Sequence, residues 1–428
     1  MRRKLDSWPR RRTFAGALLA GAVALGTAGT LVPGGMAAHA AAYARPGGQA
    51  EGSLVSATLL QRLSAGSVRA ELANARLGPG APALGDGQAR YGVAAYRVTY
   101  RTVNATGRPV LASGLVAFPA GGPRMLRVVS YAHGTTATKA DVPSTFGLGP
   151  AHAVEGRWSA ELFASAGFGV TEPDYVGMGS GTGPIEYMVA KSEATASADL
   201  LTAARTLAAR QGDTLDRGVL VTGFSQGGSA AVALGRYLAR GNSGFTVRAL
   251  APVSGPYDLA GAEVPGLFNG QLAAAVAPYY VAYTLTSWKP LYRLYAAPDD
   301  AFAMPYAAEV TGLFDGSHTD QQVIAALPDN LHALLTPGFL DQLRHLRGRL
   351  LAAFEANNPC VAWAPRIPVR LYAAGGDTTV TQVNAWHCAQ ALRSSGAAVT
   401  VVQLGPVDHD TSDFLALPRI LRWFLHLR

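Results

Sequence analysis

The 428-residue chain is poor in cysteine, with two, and in charge, with 15% of its residues charged. It has no heptad array and no internal repeat, so coiled-coil and solenoid architectures are excluded. No cluster of His, Cys or Asp stands at ligand spacing, so neither a metal nor another cofactor is expected. Lysine is nearly absent, four against 32 arginines, which suggests a GC-rich bacterial genome rather than a physical need. A single apolar run of membrane length occurs, at the N-terminus, and none follows it.

That run belongs to a leader. Arg2, Arg3, Lys4 and Arg10 to Arg12 form a basic head, an Ala/Gly/Leu run extends from Phe14 to Val32, and Ala38-His39-Ala40 offers a cleavage-like site. Arg11-Arg12-Thr13-Phe14 fits a twin-arginine signal, although Arg10 stands where such signals usually carry Ser or Thr. Residues 1–40 are thus read as a signal peptide of a secreted bacterial protein, destined for the extracellular or cell-wall side. The segment holds six bases against Asp6, leaving about +3 of the formal +8 to the rest of the chain. Nucleic-acid binding is therefore not expected. In an oxidising compartment the even pair Cys360 and Cys388 reads as a disulfide.

Residues 41–90 form an N-terminal extension rich in Gly, Ala and Pro, with a helical stretch predicted over Leu54 to Leu72. Beyond it, β-like runs at 91–103, 110–118, 127–131, 168–171, 218–222, 247–251, 369–373 and 399–403 alternate with helical patterns. Ser192 is the expected cap of the helix running to Ala209. This alternation predicts an α/β fold, a mostly parallel sheet with helices on both faces. The rhythm breaks over 258–351, a proline-punctuated stretch dense in Tyr and Trp, read as a helical cap or lid inserted in a core of 91–257 and 352–428. Its apolar and aromatic side chains would exclude water, accept an acyl chain and touch a lipid interface transiently.

The chemistry is carried by Gly223-Phe224-Ser225-Gln226-Gly227, a nucleophile elbow preceded by an apolar strand and followed by an alanine-rich helix. A serine hydroxyl needs a base to take its proton, and that base needs a carboxylate to hold its tautomer. Asp377 follows the strand at 369–373 and His409 follows the strand at 399–403, in the chain order Ser, Asp, His. Asp408 and Asp410 flank His409 but point elsewhere; His387 reads as structural, and His133 as a shaping residue. An oxyanion hole needs two donors, one of which is the N–H of Gln226. The other comes from His133-Gly134-Thr135 or from Asp174.

These pieces resemble the α/β-hydrolase superfamily, and more narrowly the secretory lipases typified by fungal lipase A and its actinobacterial relatives. The likeness rests on Ser130-Tyr131-Ala132-His133-Gly134-Thr135, Pro173-Asp174-Tyr175-Val176-Gly177, the elbow and Gly376-Asp377, over residues 90–428. It implies the α/β-hydrolase fold, an ester-hydrolysing triad, a lid inserted before the acid's strand and a disulfide near this region. It also implies an oxyanion role for Asp174 ahead of Thr135. Gln226 departs from the glycine of the fungal members. The resulting expectation is a secreted serine esterase or lipase acting on a small-molecule or lipid ester, with no obligate protein partner. A serine peptidase or acyltransferase on the same fold, or a non-catalytic binding protein on that scaffold, are the alternatives.

Overall fold

The computed structural model describes residues 50–76, 84–85, 89–147, 154–241 and 243–427. Residues 1–40, read above as a signal peptide, lie outside the described residues, as do parts of the N-terminal extension.

Nine strands form one sheet: β1 (Leu54–Leu63), β2 (Gly92–Val103), β3 (Pro109–Ala120), β4 (Met125–Ala132), β5 (Gly169–Pro173), β6 (Thr214–Phe224), β7 (Thr246–Val253), β8 (Val369–Ala373) and β9 (Val399–Gln403). Their order across the sheet is β1-β2-β3-β5-β4-β6-β7-β8-β9. From β5 to β9 every pairing is parallel; β1, β2, β3 and β5 pair antiparallel. Parallel strands need crossovers, and helices α1 (Ala65–Asn74), α2 (Val154–Ser165), α3 (Ala190–Arg210) and α4 (Gln226–Leu238) pack against the sheet before the insertion.

The inner strands are buried on both sides, so successive residues enter different cores. Val219 and Val221 of β6 join Leu200, Leu201, Val232 and Leu392 on one face, whereas Leu220 joins Phe163, Phe414 and Phe424 on the other. That is why these strands read as continuous apolar runs rather than as alternating patterns.

Between β7 and β8 lies the insertion. A π-helical turn at Leu259–Glu263 leads to α5 (Val264–Asn269), α6 (Ala277–Tyr292), α7 (Pro298–Ala301), α8 (Tyr306–Leu313), α9 (Asp320–Ala326), α10 (Leu331–Leu334), α11 (Pro337–Arg344) and α12 (Gly348–Ala356). It has an apolar cluster of its own, with Tyr283, Trp288 and Phe302 fully buried, and this cluster takes in Tyr187, Met188 and Val189 from the segment before α3. Two last helices, α13 (Val383–Ser394) and α14 (His409–His426), flank β9. Cys360 and Cys388 are bonded, with Cα atoms 5.2 Å apart, tying the stretch after α12 to α13. Among the described residues no helix is long and apolar enough to cross a membrane.

Two local expectations are corrected. The stretch predicted as helical over Leu54 to Leu72 begins as strand β1, because its residues complete the open hydrogen-bonding edge of β2. Only after Ser64, whose Oγ accepts from Ser67 N at 3.0 Å, does helix α1 start. Ser192 is not a cap: α3 starts at Ala190, and the Ser192 hydroxyl bonds back to Val189 O from inside the first turn.

Candidate active site

Ser225 joins β6 to α4 with φ 55° and ψ −122°, a backbone conformation that costs energy for a residue bearing a Cβ. The surroundings hold it there. Ser225 N donates to Val253 O at 3.0 Å, and Gly228 N donates to Ser225 O at 2.8 Å. The flanking glycines have no room for a side chain. A Cβ on Gly227 would stand 1.8 Å from Ala132 O, and one on Gly223 would stand 2.4 Å from Gly227 O.

His409 is the first residue of α14 and Asp377 lies in the loop after β8. Their side chains and that of Ser225 form one hydrogen-bonded row: Asp377 Oδ2 to His409 Nδ1 at 2.6 Å, and His409 Nε2 to Ser225 Oγ at 2.8 Å. All three are buried. A carboxylate facing Nδ1 keeps the proton there, which leaves Nε2 free to accept from the serine hydroxyl. Asp377 Oδ1 accepts from Thr379 N at 2.9 Å and Val380 N at 2.8 Å, so the carboxylate is held by its own turn. The Phe224 ring lies against the imidazole, with centroids 4.6 Å apart.

The competing residues are occupied elsewhere. Asp408 caps α14 by accepting from Thr411 N at 2.8 Å, and His387 Nδ1 faces Asp258 Oδ2 at 2.8 Å. His133 is buried and stacked on Tyr175 at 4.5 Å, with Nδ1 donating to Gly134 O at 2.7 Å. Burial pushes its pKa down to about 4, so it stays a neutral spacer.

Ser225 opens on a partly open cleft whose empty space, open solvent included, is about 790 Å³. Thr135 and Gln226 line it together with Ser225, and Leu259, Val264, Leu272, Val276, Val281 and Leu285 from the insertion are among its apolar walls. Gln226 is the first residue of α4, so its N–H has no intrahelical acceptor. Asp174 is not there. Its Oδ1 accepts from Ser144 N at 2.9 Å and its Oδ2 accepts from the Ser113 hydroxyl at 2.5 Å, in full burial. The reason is topological. Asp174 follows β5, and β4 stands between β5 and the β6 that carries Ser225, whereas Thr135 follows β4 itself. Among the described residues no group of three or more His, Cys, Asp or Glu is placed to hold a metal ion.

Sequence reasoning missed the buried acids around this site. Glu193 accepts from Gln226 Nε2 at 2.8 Å. Glu263, in the insertion, accepts from Thr381 N at 3.1 Å and from the Asn384 amide, beside the Asp377 turn. Glu155 accepts from Gly134 N at 3.0 Å under the Thr135 loop. A signal for Glu193 was present, since it falls on the same helical stripe as Leu200 and Ala204 of α3, a carboxylate where an apolar residue belongs.

These acids set a pH dependence of stability. Burial pushes Glu193 up to about 8 from an ordinary value of 4.5, and it does the same to Glu263 and to Glu161 of α2. Each keeps its proton in the fold where the unfolded chain has lost it, so stability declines as pH rises from about 4.5 and levels near 8. The melting temperature is therefore expected to fall between pH 5 and pH 8; a rise across that interval would mean the acids are ionised in the fold.

The chain has the α/β-hydrolase fold, and solved structures share it over most of their length. A Legionella pneumophila protein assigned to the hydrolases matches with a TM-score of 0.79 and 25% identity, covering 87% of this chain and 98% of that one. A ligand-bound form of the rice cell wall degrading esterase LipA from Xanthomonas oryzae matches at 0.76 and 26%, covering 89% and 99%. Candida antarctica lipase A in its closed state matches at 0.60 and 15%, covering 85% and 79%, a likeness of fold. No family model and no curated protein sequence matches the chain. Hydrolysis is the function class these neighbours support.

Proposed function

We propose that this chain is a serine esterase or lipase that cleaves carboxylic esters through an acyl-enzyme, and that it acts outside the cytoplasm. The observation that carries the reading is the unbroken row from Asp377 through His409 to Ser225, which lines a mostly apolar cleft. Ser225 Oγ attacks the ester carbonyl while His409 Nε2 takes its proton. Asp377 stabilises the imidazolium that forms. The Gln226 N–H and the Thr135 hydroxyl receive the negative charge on the carbonyl oxygen. As the tetrahedral species collapses, the C–O bond to the alcohol breaks and His409 returns the proton to the alcohol oxygen. Water then repeats the sequence on the acyl-enzyme, with His409 as base, and frees the acid. The insertion is the cap over this site in the same reading, its apolar walls receiving the acyl chain. Export is supported by the composition of residues 1–40 and by the Cys360–Cys388 bond, which belongs to an oxidising compartment.

A p-nitrophenyl ester series from C2 to C16 tests this reading. Each methylene buried in the cavity contributes about 0.8 kcal/mol, so kcat/KM is expected to climb by up to about fourfold per carbon until the chain fills the space. Ala273→Trp, which adds bulk to the cavity wall, is expected to end the climb at a shorter chain. A flat series unchanged by the substitution would remove the acyl-pocket assignment, and hydrolysis of aminoacyl anilides in preference to esters would favour a peptidase.

A further inference from the structure

The two residues assigned as oxyanion donors lie on different elements, Thr135 after β4 and Gln226 at the start of α4. One short segment holds both. At its far end Glu193 Oε1 accepts from the Gln226 side-chain amide at 2.8 Å, with both side chains buried. At its near end the Tyr187 hydroxyl stands 3.1 Å from Thr135 Oγ1. Between them Met188 has φ 55° and α3 begins at Ala190. The segment is also tied to the insertion. Tyr187 N donates to Ser287 Oγ at 2.8 Å, Trp288 Nε1 donates to Tyr187 O at 2.9 Å, and Ala190 N donates to Asn357 Oδ1 at 3.0 Å. The Tyr187 ring lies parallel to that of Tyr283 in α6, 4.0 Å away and inclined by 2°.

We propose that residues 187–193 act as a yoke that sets the two oxyanion donors relative to each other and to helix α6, with Tyr187 and Glu193 as positioning residues. The proposal rests on the ester-hydrolase reading above.

Each end of the yoke has a physical rationale. A phenol is a ready donor, and burial raises the Tyr187 pKa well above 10, so its proton stays in place. When Tyr187 donates to Thr135 Oγ1, the threonine's own hydrogen is left to point elsewhere, and the shared cavity with Ser225 is the open direction. At the other end, the Gln226 N–H has no helical acceptor, and the carbonyl of the same peptide, Ser225 O, accepts from Gly228 N at 2.8 Å. A glycine there would leave the direction of that N–H to the backbone alone. A glutamine whose amide is clamped by a buried carboxyl ties the same Cα to α3. The yoke's ties to Ser287, Trp288 and Tyr283 then make the spacing of the donors depend on where α6 sits.

The test uses the whole protein with Tyr187→Phe, Glu193→Ala and Glu193→Gln, followed by kcat and KM on p-nitrophenyl butyrate and inhibition by an alkyl trifluoromethyl ketone, whose adduct carries the oxyanion. Tyr187→Phe and Glu193→Ala are each expected to lower kcat about tenfold with KM within twofold, and to weaken the ketone by the same factor. Glu193→Gln keeps an oxygen that accepts from Gln226, so it is expected to recover kcat to within about threefold of the unmodified protein. Variants that melt earlier but keep kcat and ketone affinity would overturn the proposal, as would a change confined to KM or a Glu193→Gln no better than the alanine. Should Glu193→Ala fail to fold, Tyr187→Phe and Glu193→Gln carry the same decision. Failure of the ester-hydrolase reading looks different: the unmodified protein would then neither cleave the ester nor bind the ketone.

Discussion

Alanine in place of Ser225 is expected to slow p-nitrophenyl ester hydrolysis by about 10⁴–10⁶-fold while the protein keeps its secondary structure and melting temperature. The loss is large because the proposed acyl-enzyme forms on Oγ, and no second hydroxyl is hydrogen-bonded to His409 Nε2 among the described residues. Stability is expected to hold because the serine hydroxyl makes no cap bond to α4 and its only recorded side-chain partner is the imidazole. His409 then keeps its Nδ1 donor bond to Asp377 and loses one bond at Nε2, a cost of about 1 kcal/mol. The same row predicts non-additivity: His409→Ala combined with Ser225→Ala is expected to be no slower than Ser225→Ala alone, because members of a triad fail as a unit. Circular dichroism and thermal melting establish folding, and initial rates on the ester decide the outcome. Retained activity at more than a few per cent would remove Ser225 from the nucleophile role.

Gly227→Ala is expected to have the largest effect on stability, more than about 4 kcal/mol, a size reserved for severe packing faults. The added methyl would meet Ala132 O at 1.8 Å, its carbon at 2.4 Å and His133 O at 2.7 Å, all backbone atoms at the end of β4. No rotamer change relieves a clash with main chain, so either α4 or the 132–135 loop must move. That loop carries Thr135, so activity is expected to go as well. Gly312→Ala is the control, since a Cβ there meets nothing within 4 Å in helix α8. It is expected to raise stability by about 0.5–1 kcal/mol. Urea midpoints of the two variants check the contrast. A Gly227→Ala protein as stable as the parent would mean that the elbow does not press against β4.

Much of this molecule was legible along the chain because its determinants are local. The eight strands after the extension read correctly since each is an apolar run bounded by turns. The row of Ser225, Asp377 and His409 could be assembled because parallel strands deliver their following loops to one edge. β1 was misread because an edge strand is recruited by a partner 30 or more residues away, and its own pattern is ambiguous. Glu263 and Glu155 were passed over because no local pattern shows which carboxylates the folded chain encloses, whereas the place of Glu193 on the apolar stripe of α3 was overlooked. Asp174 was favoured on the strength of a motif and the end of a strand, with no knowledge of which strand lay beside β6.

Sequence alone determined the candidate row, since a serine elbow with its glycines and an acid and a base at successive strand ends are properties of short segments. Tertiary structure decided the rest: that β4 rather than β5 neighbours β6, so that Thr135 and not Asp174 stands at the cavity; that Glu193 and Tyr187 reach the donor residues; and that the insertion lines the pocket with aliphatic side chains. The physical reason is that strand order and burial arise from contacts between residues far apart in the chain, and no local pattern encodes which distant surface an element will meet.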